Sequence, residues 1–168
     1  MAVLPHAKAC IEQTLANRLL AALGPADRQH LLADAVFVDL GASAVLGLGG
    51  TELVHAYFPT TSMISLLAPQ SRNKRLVLGL TGYEGVYGGA CALGIFSTAF
   101  DAVVTGAGQA WQIDAKRLAA HGRSSPALLR LLRATLNKPP EFPVHYCMTD
   151  FFGLFGGPKR PFGPMAGP

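Results

Sequence analysis

His55-Ala56-Tyr57-Phe58-Pro59-Thr60-Thr61-Ser62-Met63-Ile64-Ser65-Leu66-Leu67 is the stretch on which the fold turns. Aromatic, β-branched and aliphatic residues crowd both ends, and Pro59-Thr60-Thr61 interrupts them. Such residues suit a pleated, half-buried surface, so the stretch predicts two short strands, 53–58 and 62–68. Outward from it, strand candidates lie at 75–80, 86–87, 100–105 and 109–113, with Gly106-Ala107-Gly108 as a turn. Upstream, Val36, Val38 and Leu40 alternate before glycines at 41, 47, 49 and 50, a strand-turn-strand pattern. Turn signals spaced by roughly 8–12 residues point to a sandwich, barrel or roll.

Helices flank this region. Ile11, Leu15, Leu19, Leu20 and Leu23 keep helical spacing over 8–23, closed by Gly24, and Pro25-Ala26-Asp27 opens a second helix through Leu32. Asp114 is placed to cap a helix at 115–121, and Ser124 or Ser125 to cap the next, with Pro126 in its first turn. That last helix carries Leu128, Leu129, Leu131, Leu132 and Leu136, then meets Pro139-Pro140, where a helix loses a donor and clashes. Four segments result: N-terminal helices (1–34), a β-roll (35–114), C-terminal helices (115–137) and an irregular tail (138–168). The tail holds seven of the twelve prolines together with Phe151, Phe152, Phe155 and Phe162.

Composition narrows the class. The chain has 168 residues, half of them apolar and only 14% charged, which excludes a polar disordered chain. A net charge of +4 permits an anionic partner without demanding one. Cys10, Cys91 and Cys147 are far apart and odd in number, which argues against a disulfide framework or zinc knuckle and fits reduced thiols in a cytoplasm. Met1 to Gln13 lacks an apolar segment of signal length, and the greasiest stretch, 35–50, contains Asp39 and several glycines. A soluble cytoplasmic protein with no membrane contact is expected.

The order of elements, together with their local sequences, resembles the cyclic-nucleotide-binding-like domain of the Crp/Fnr transcription regulators. Asn17-Arg18-Leu19-Leu20-Ala21-Ala22-Leu23 and Pro25-Ala26-Asp27-Arg28 resemble that family's opening helices. Residues 55–67 are similar to its Tyr-Phe-Pro strand pair, with Ser62 where glycine is usual. Gly79-Leu80-Thr81-Gly82-Tyr83-Glu84-Gly85-Val86-Tyr87-Gly88 resembles the turn and strand that follow, and Ala102-Val103-Val104 with Gly106-Ala107-Gly108-Gln109-Ala110 the strand and turn after the phosphate-binding cassette. The resemblance covers residues 15–137. It implies a mainly β fold with flanking helices, a double-stranded β-helix (jelly roll) of eight strands. It also implies a helix that pairs two subunits and a regulator that normally ends in a DNA-binding domain.

In the family's cyclic-nucleotide binders a Gly-Glu pair and an Arg-Ser or Arg-Thr pair hold the cyclic phosphate and ribose; the arginine supplies a fixed positive fork. Carried onto this chain, Gly88 matches the glycine, Gly89 stands at the glutamate, Asp101 at the arginine and Ala102 at the hydroxyl residue. No Arg or Lys occurs from Leu76 to Ala115, so a shifted alignment does not restore the site. A carboxylate repels a phosphate, and binding of cAMP or cGMP is not expected. Asp101 itself reads as a solvent-facing strand residue.

Other chemistries find little support. His6, His30, His55, His121 and His145 show no H-x-H or H-x-x-x-H spacing, so no metal is expected. Cysteine ligands for an iron–sulfur cluster are lacking, Cys91 reads as a small buried residue, and no cofactor is expected. Ser43, Ser62, Ser65 and Ser97 sit in no nucleophile-elbow pattern, and Gly47-Leu48-Gly49-Gly50 lacks the Gly-Lys-Ser or Gly-Lys-Thr of a phosphate loop. An enzyme is not expected.

Lys116, Arg117, Arg123, Arg130, Arg133 and Lys138 have no acid between them, and Arg72, Lys74 and Arg75 form a second basic group. They read as solvated faces beside an apolar seam rather than a DNA surface. Leu128, Leu129, Leu132 and Leu136 could pair with a second copy or cap the open face of the roll. The leading expectation is a non-enzymatic regulatory or sensor domain that neither binds cAMP nor reads DNA in a sequence-specific way. Its partners would be proteins, as a homodimer or a heterodimer with related regulators. The alternatives are a regulator truncated or frame-shifted near residue 137, and a sensor of another small ligand in the roll.

Overall fold

The computed structural model describes residues 16–70 and 74–136. Two helices, α1 (Arg18–Ala22) and α2 (Pro25–Ala33), precede seven strands. These are β1 (Ala35–Leu40), β2 (Val45–Gly47), β3 (His55–Pro59), β4 (Met63–Gln70), β5 (Lys74–Thr81), β6 (Asp101–Gly106) and β7 (Gly108–Asp114). A five-residue 3₁₀ turn, Gly89–Leu93, lies between β5 and β6. The chain then runs into α3 (Ala115–Ser124) and α4 (Pro126–Leu136). The strands form two antiparallel sheets in the orders β1-β7-β3 and β2-β6-β4-β5. This is the mainly β roll with flanking helices that the resemblance implies.

Cross-strand register explains the stability of the first sheet. Phe37, Trp111 and Phe58 stand opposite one another on β1, β7 and β3 and so share one face. The Phe37 and Trp111 rings lie 4.9 Å apart, a separation typical of favourable aromatic pairs. Phe58, Ile113, Leu20 and Leu31 are fully buried in the same core, each contributing about 1.5–3 kcal/mol relative to exposure. Val36, Gln112 and Tyr57 occupy the opposite face.

Helix ends follow local chemistry. Asp114 Oδ1 accepts from the amides of Lys116 and Arg117 at 2.9 and 3.0 Å and starts α3. Of the two serines available before α4, Ser125 is the cap: its Oγ accepts from Leu128 N at 3.1 Å, and Pro126 follows in the first turn. The expected strand at 86–87 is reduced to one bridge, Tyr57 to Tyr87. Gly88, with φ of 77°, turns the chain out of the sheet there and into the 3₁₀ turn. The part of the expected helix before Ala16 and the tail 138–168 lie outside the described residues.

Candidate functional site

Of the degenerate cassette positions, Gly88 and Gly89 stand at the start of the 3₁₀ turn, and Asp101 and Ala102 open β6 beyond it. The segment leading into the turn is held from the N-terminal side. Arg18 N donates to Tyr83 O at 2.7 Å, and the Arg18 guanidinium sits 5.1 Å over the Tyr83 ring. Asn17, fully buried, accepts from the Leu19 and Leu20 amides as the cap of α1 and donates to Pro59 O (2.8 Å) and Gly85 O (3.0 Å). One side chain thus ties α1, the end of β3 and the approach to the cassette.

Tyr87 exchanges backbone hydrogen bonds with Tyr57, both at 2.9 Å. Its ring stacks on that of Tyr57 at 6.3 Å and carries the hydroxyl across to the second sheet. There the oxygen lies over Gly47, 2.2 Å from where a Cβ would stand. The hydroxyl is buried without a hydrogen-bond partner among the described residues, and Tyr87 as a whole is 4% exposed. Burial pushes its phenol up to about 12, with Cys91, Tyr57 and Asp101 adding to the effect. Burial likewise raises the Tyr57 phenol and the Cys91 thiol, so these groups stay neutral at neutral pH.

Beyond the 3₁₀ turn the chain runs beside the β2–β3 loop. Leu53 N donates to Phe96 O at 2.7 Å, Gly50 N to Thr98 O at 2.8 Å, and Glu52 bridges Ser97. Asp101 closes this pairing. Its Oδ1 accepts from Gly49 N at 2.8 Å on the exposed side of the pairing, and the residue is half-buried. Ala102, next to it, is fully buried in β6. Gly88 and Gly89 lie at the opposite end of the turn, against β3 and α4 respectively. From Leu76 to Ala115 the ionised side chains are Glu84, Asp101 and Asp114, all acidic. This segment therefore supplies no cationic side chain to offset an anion's charge.

The C-terminal helices pack on the same turn. A Cβ at Gly122 of α3 would lie 2.4 Å from the carbonyl oxygen of Ala92, so glycine permits direct contact of the two backbones. Leu128 and Leu132 of α4 are buried in the core, and Leu132 reaches Gly89. Leu129 is half-buried, while the Leu136 side chain lies outside the described residues. Two of the four candidate pairing leucines therefore face the roll.

Among the described residues no group of three or more His, Cys, Asp or Glu side chains could hold a metal ion. None of the described helices is long and apolar enough to cross a membrane. Two groupings had no signature in the sequence: the Asn17 tie, and Asp34 with Arg117 and His121, which come together from distant positions.

Solved structures share this architecture. The regulatory subunit of a cAMP-independent protein kinase A from Trypanosoma brucei, as a triple mutant bound to cAMP in the A site, aligns with TM-score 0.66. The match has 11% identity over 79% of this chain. The sensor domain of the transcriptional regulator DNR from Pseudomonas aeruginosa aligns with TM-score 0.61 and 17% identity, over 77% of this chain and 87% of that one. The chain has the cyclic-nucleotide-binding-domain fold. Thermus thermophilus catabolite activator protein shares this fold too, with TM-score 0.59 and 17% identity over 70% of this chain. This cyclic-nucleotide-binding fold spans 47% of the trypanosome subunit and 55% of the activator protein. No family model and no curated protein matches the sequence.

Proposed function

We propose that the chain is a non-enzymatic regulatory sensor domain of Crp/Fnr type whose cassette does not hold a cyclic nucleotide. The observation that carries this reading is Asp101. It stands where the resemblance calls for the phosphate-binding arginine, and its carboxylate is occupied with the Gly49 amide. Gly89 and Ala102 lack the carboxylate and hydroxyl that the family's binders use, and no cation lies between 76 and 115. Tyr57 and Tyr87 are buried and stacked beside the turn, and their phenols stay neutral. One structural neighbour is described as the regulatory subunit of a cAMP-independent protein kinase A, and its triple mutant holds cAMP in the A site. Such a domain acts by contact with another protein, a second copy or a related regulator, rather than by turning over a substrate.

A thermal-shift measurement tests the reading. A ligand at one hundred times its Kd stabilises the folded state by about 2.7 kcal/mol, which for a chain of this size raises Tm by roughly 5–10 °C. At about 1 mM cAMP or cGMP, a dissociation constant near 10 μM would give that rise. The proposal expects no change in Tm with either nucleotide; a rise of several degrees refutes it.

A further inference from the structure

We propose that His121, Asp34, His30 and Arg117 form a protonation-sensitive latch that fastens the N-terminal helices to α3 and, through α3, to the cassette turn. Asp34 is the residue at which α2 ends and β1 is about to begin. Arg117 and His121 are one helical turn apart on α3, so both reach the same carboxylate: Arg117 Nη1 contacts Oδ1, and His121 Nε2 lies 2.9 Å from Oδ2. His30, in the last turn of α2, meets the His121 ring edge-on with centroids 5.1 Å apart. His121 is only 8% exposed, and the next residue, Gly122, rests on the Ala92 carbonyl of the 3₁₀ turn. Two adjacent residues of α3 therefore join α2 to the cassette.

The members respond differently to pH. The Asp34 carboxyl is held below the usual carboxylate range, chiefly by the His121 hydrogen bond and also by Arg117, so it stays ionised at neutral pH. Arg117 is 62% exposed and permanently charged, so its share of the contact does not vary between pH 5 and 8. Imidazole is the group that titrates in that window. A proton on His121 turns its hydrogen bond to Asp34 into an ion pair, whereas a proton on His30 opposes it with a like charge. From α2, the groups facing His121 are Asp34 and His30; from its own helix, Arg117. Among the described residues the 3₁₀ turn and α4 place no ion pair on the ring. The inference goes beyond the nucleotide reading and holds with or without a ligand in the roll.

Hydrogen exchange on the full chain, corrected for intrinsic rates, tests it at pH 6 and pH 8. Amides of α2 should be about fivefold better protected at pH 6, the ratio that a partly exposed ion pair supports. That ratio should fall to about one in His121→Gln and to one or below in Asp34→Asn, where only the like charge of His30 remains, while amides of β3, beside His55, stay unchanged. Asp34→Asn leaves His121 with a neutral partner, so it decides the matter if His121→Gln does not fold. Equal α2 protection at the two pH values in the wild-type chain, or an undiminished ratio in Asp34→Asn, overturns the latch.

Discussion

Replacing Asn17 with alanine should destabilise the domain by about 3 kcal/mol. The side chain is fully buried and makes four hydrogen bonds, two accepted and two donated. Loss of the accepting oxygen removes the cap of α1, a change that costs about 1 kcal/mol. Loss of the amide nitrogen strips a donor from the Pro59 and Gly85 carbonyls, at about 1 kcal/mol each, since a carbonyl keeps a second lone pair for other contacts. Set against a total stability of about 5–15 kcal/mol, this is a large fraction. Urea unfolding followed by the fluorescence of Trp111, the one tryptophan and 7% exposed, reads the change directly. With a slope of about 2 kcal/mol per molar, the midpoint should fall by about 1.5 M. Asn17→Asp separates the two roles, because it keeps the capping acceptor but turns a negative oxygen toward two carbonyls. It should be at least as harmful as alanine. A midpoint drop below about 0.5 M for alanine, or tolerance of aspartate, would refute the four-bond account.

Three further outcomes follow from the packing and charge. Gly122→Ala drives a Cβ into the Ala92 carbonyl and should cost about 1–3 kcal/mol, seen as a lowered Tm with the far-ultraviolet dichroism retained. Tyr87→Phe removes a buried hydroxyl that lacks a hydrogen-bond partner among the described residues, so stability in urea should be unchanged or raised by up to about 1–2 kcal/mol; a loss of that size would mean the hydroxyl is bonded. Asp34 has a lowered pKa in the folded state, so its contribution is present above the unfolded value of 3.8 and is lost as pH falls through the folded one. Acid titrations monitored by Trp111 fluorescence should therefore show a shallower stability loss below about pH 4 for Asp34→Asn than for the wild-type chain.

Where sequence and structure agree, the signals are local. The residues at 55–67 announce two strands because alternation and turn chemistry act within a few positions, and Asp114, Ser125 and the prolines at 25 and 126 mark helix starts for the same reason. The 3₁₀ turn at 89–93 was illegible: a glycine- and alanine-rich run has neither helical nor strand period, and Gly88 commits it only through its positive φ. At the candidate site, the absence of cations could be read from composition alone, since no alignment choice supplies one. The role of Asp101 could not, because the amide it accepts from belongs to Gly49, 52 residues earlier. His121 and Asp34 are 87 residues apart and meet only when α3 returns along the roll. Asn17 falls inside the helix expected over 8–23, yet it caps α1 at Arg18, and half of its bonding goes to carbonyls 42 and 68 residues away. Long-range polar contacts leave no periodic trace, so they emerge only from the folded chain.

On the proposed reading, Asp101 stands where the resemblance calls for a guanidinium, and the domain retains no cyclic phosphate. Calorimetric titration of the purified chain with cAMP, and then with cGMP, measures this most directly. The account predicts no saturable heat up to about 1 mM nucleotide, where ΔG of binding is only about −4 kcal/mol; a saturable isotherm in the micromolar range would contradict it.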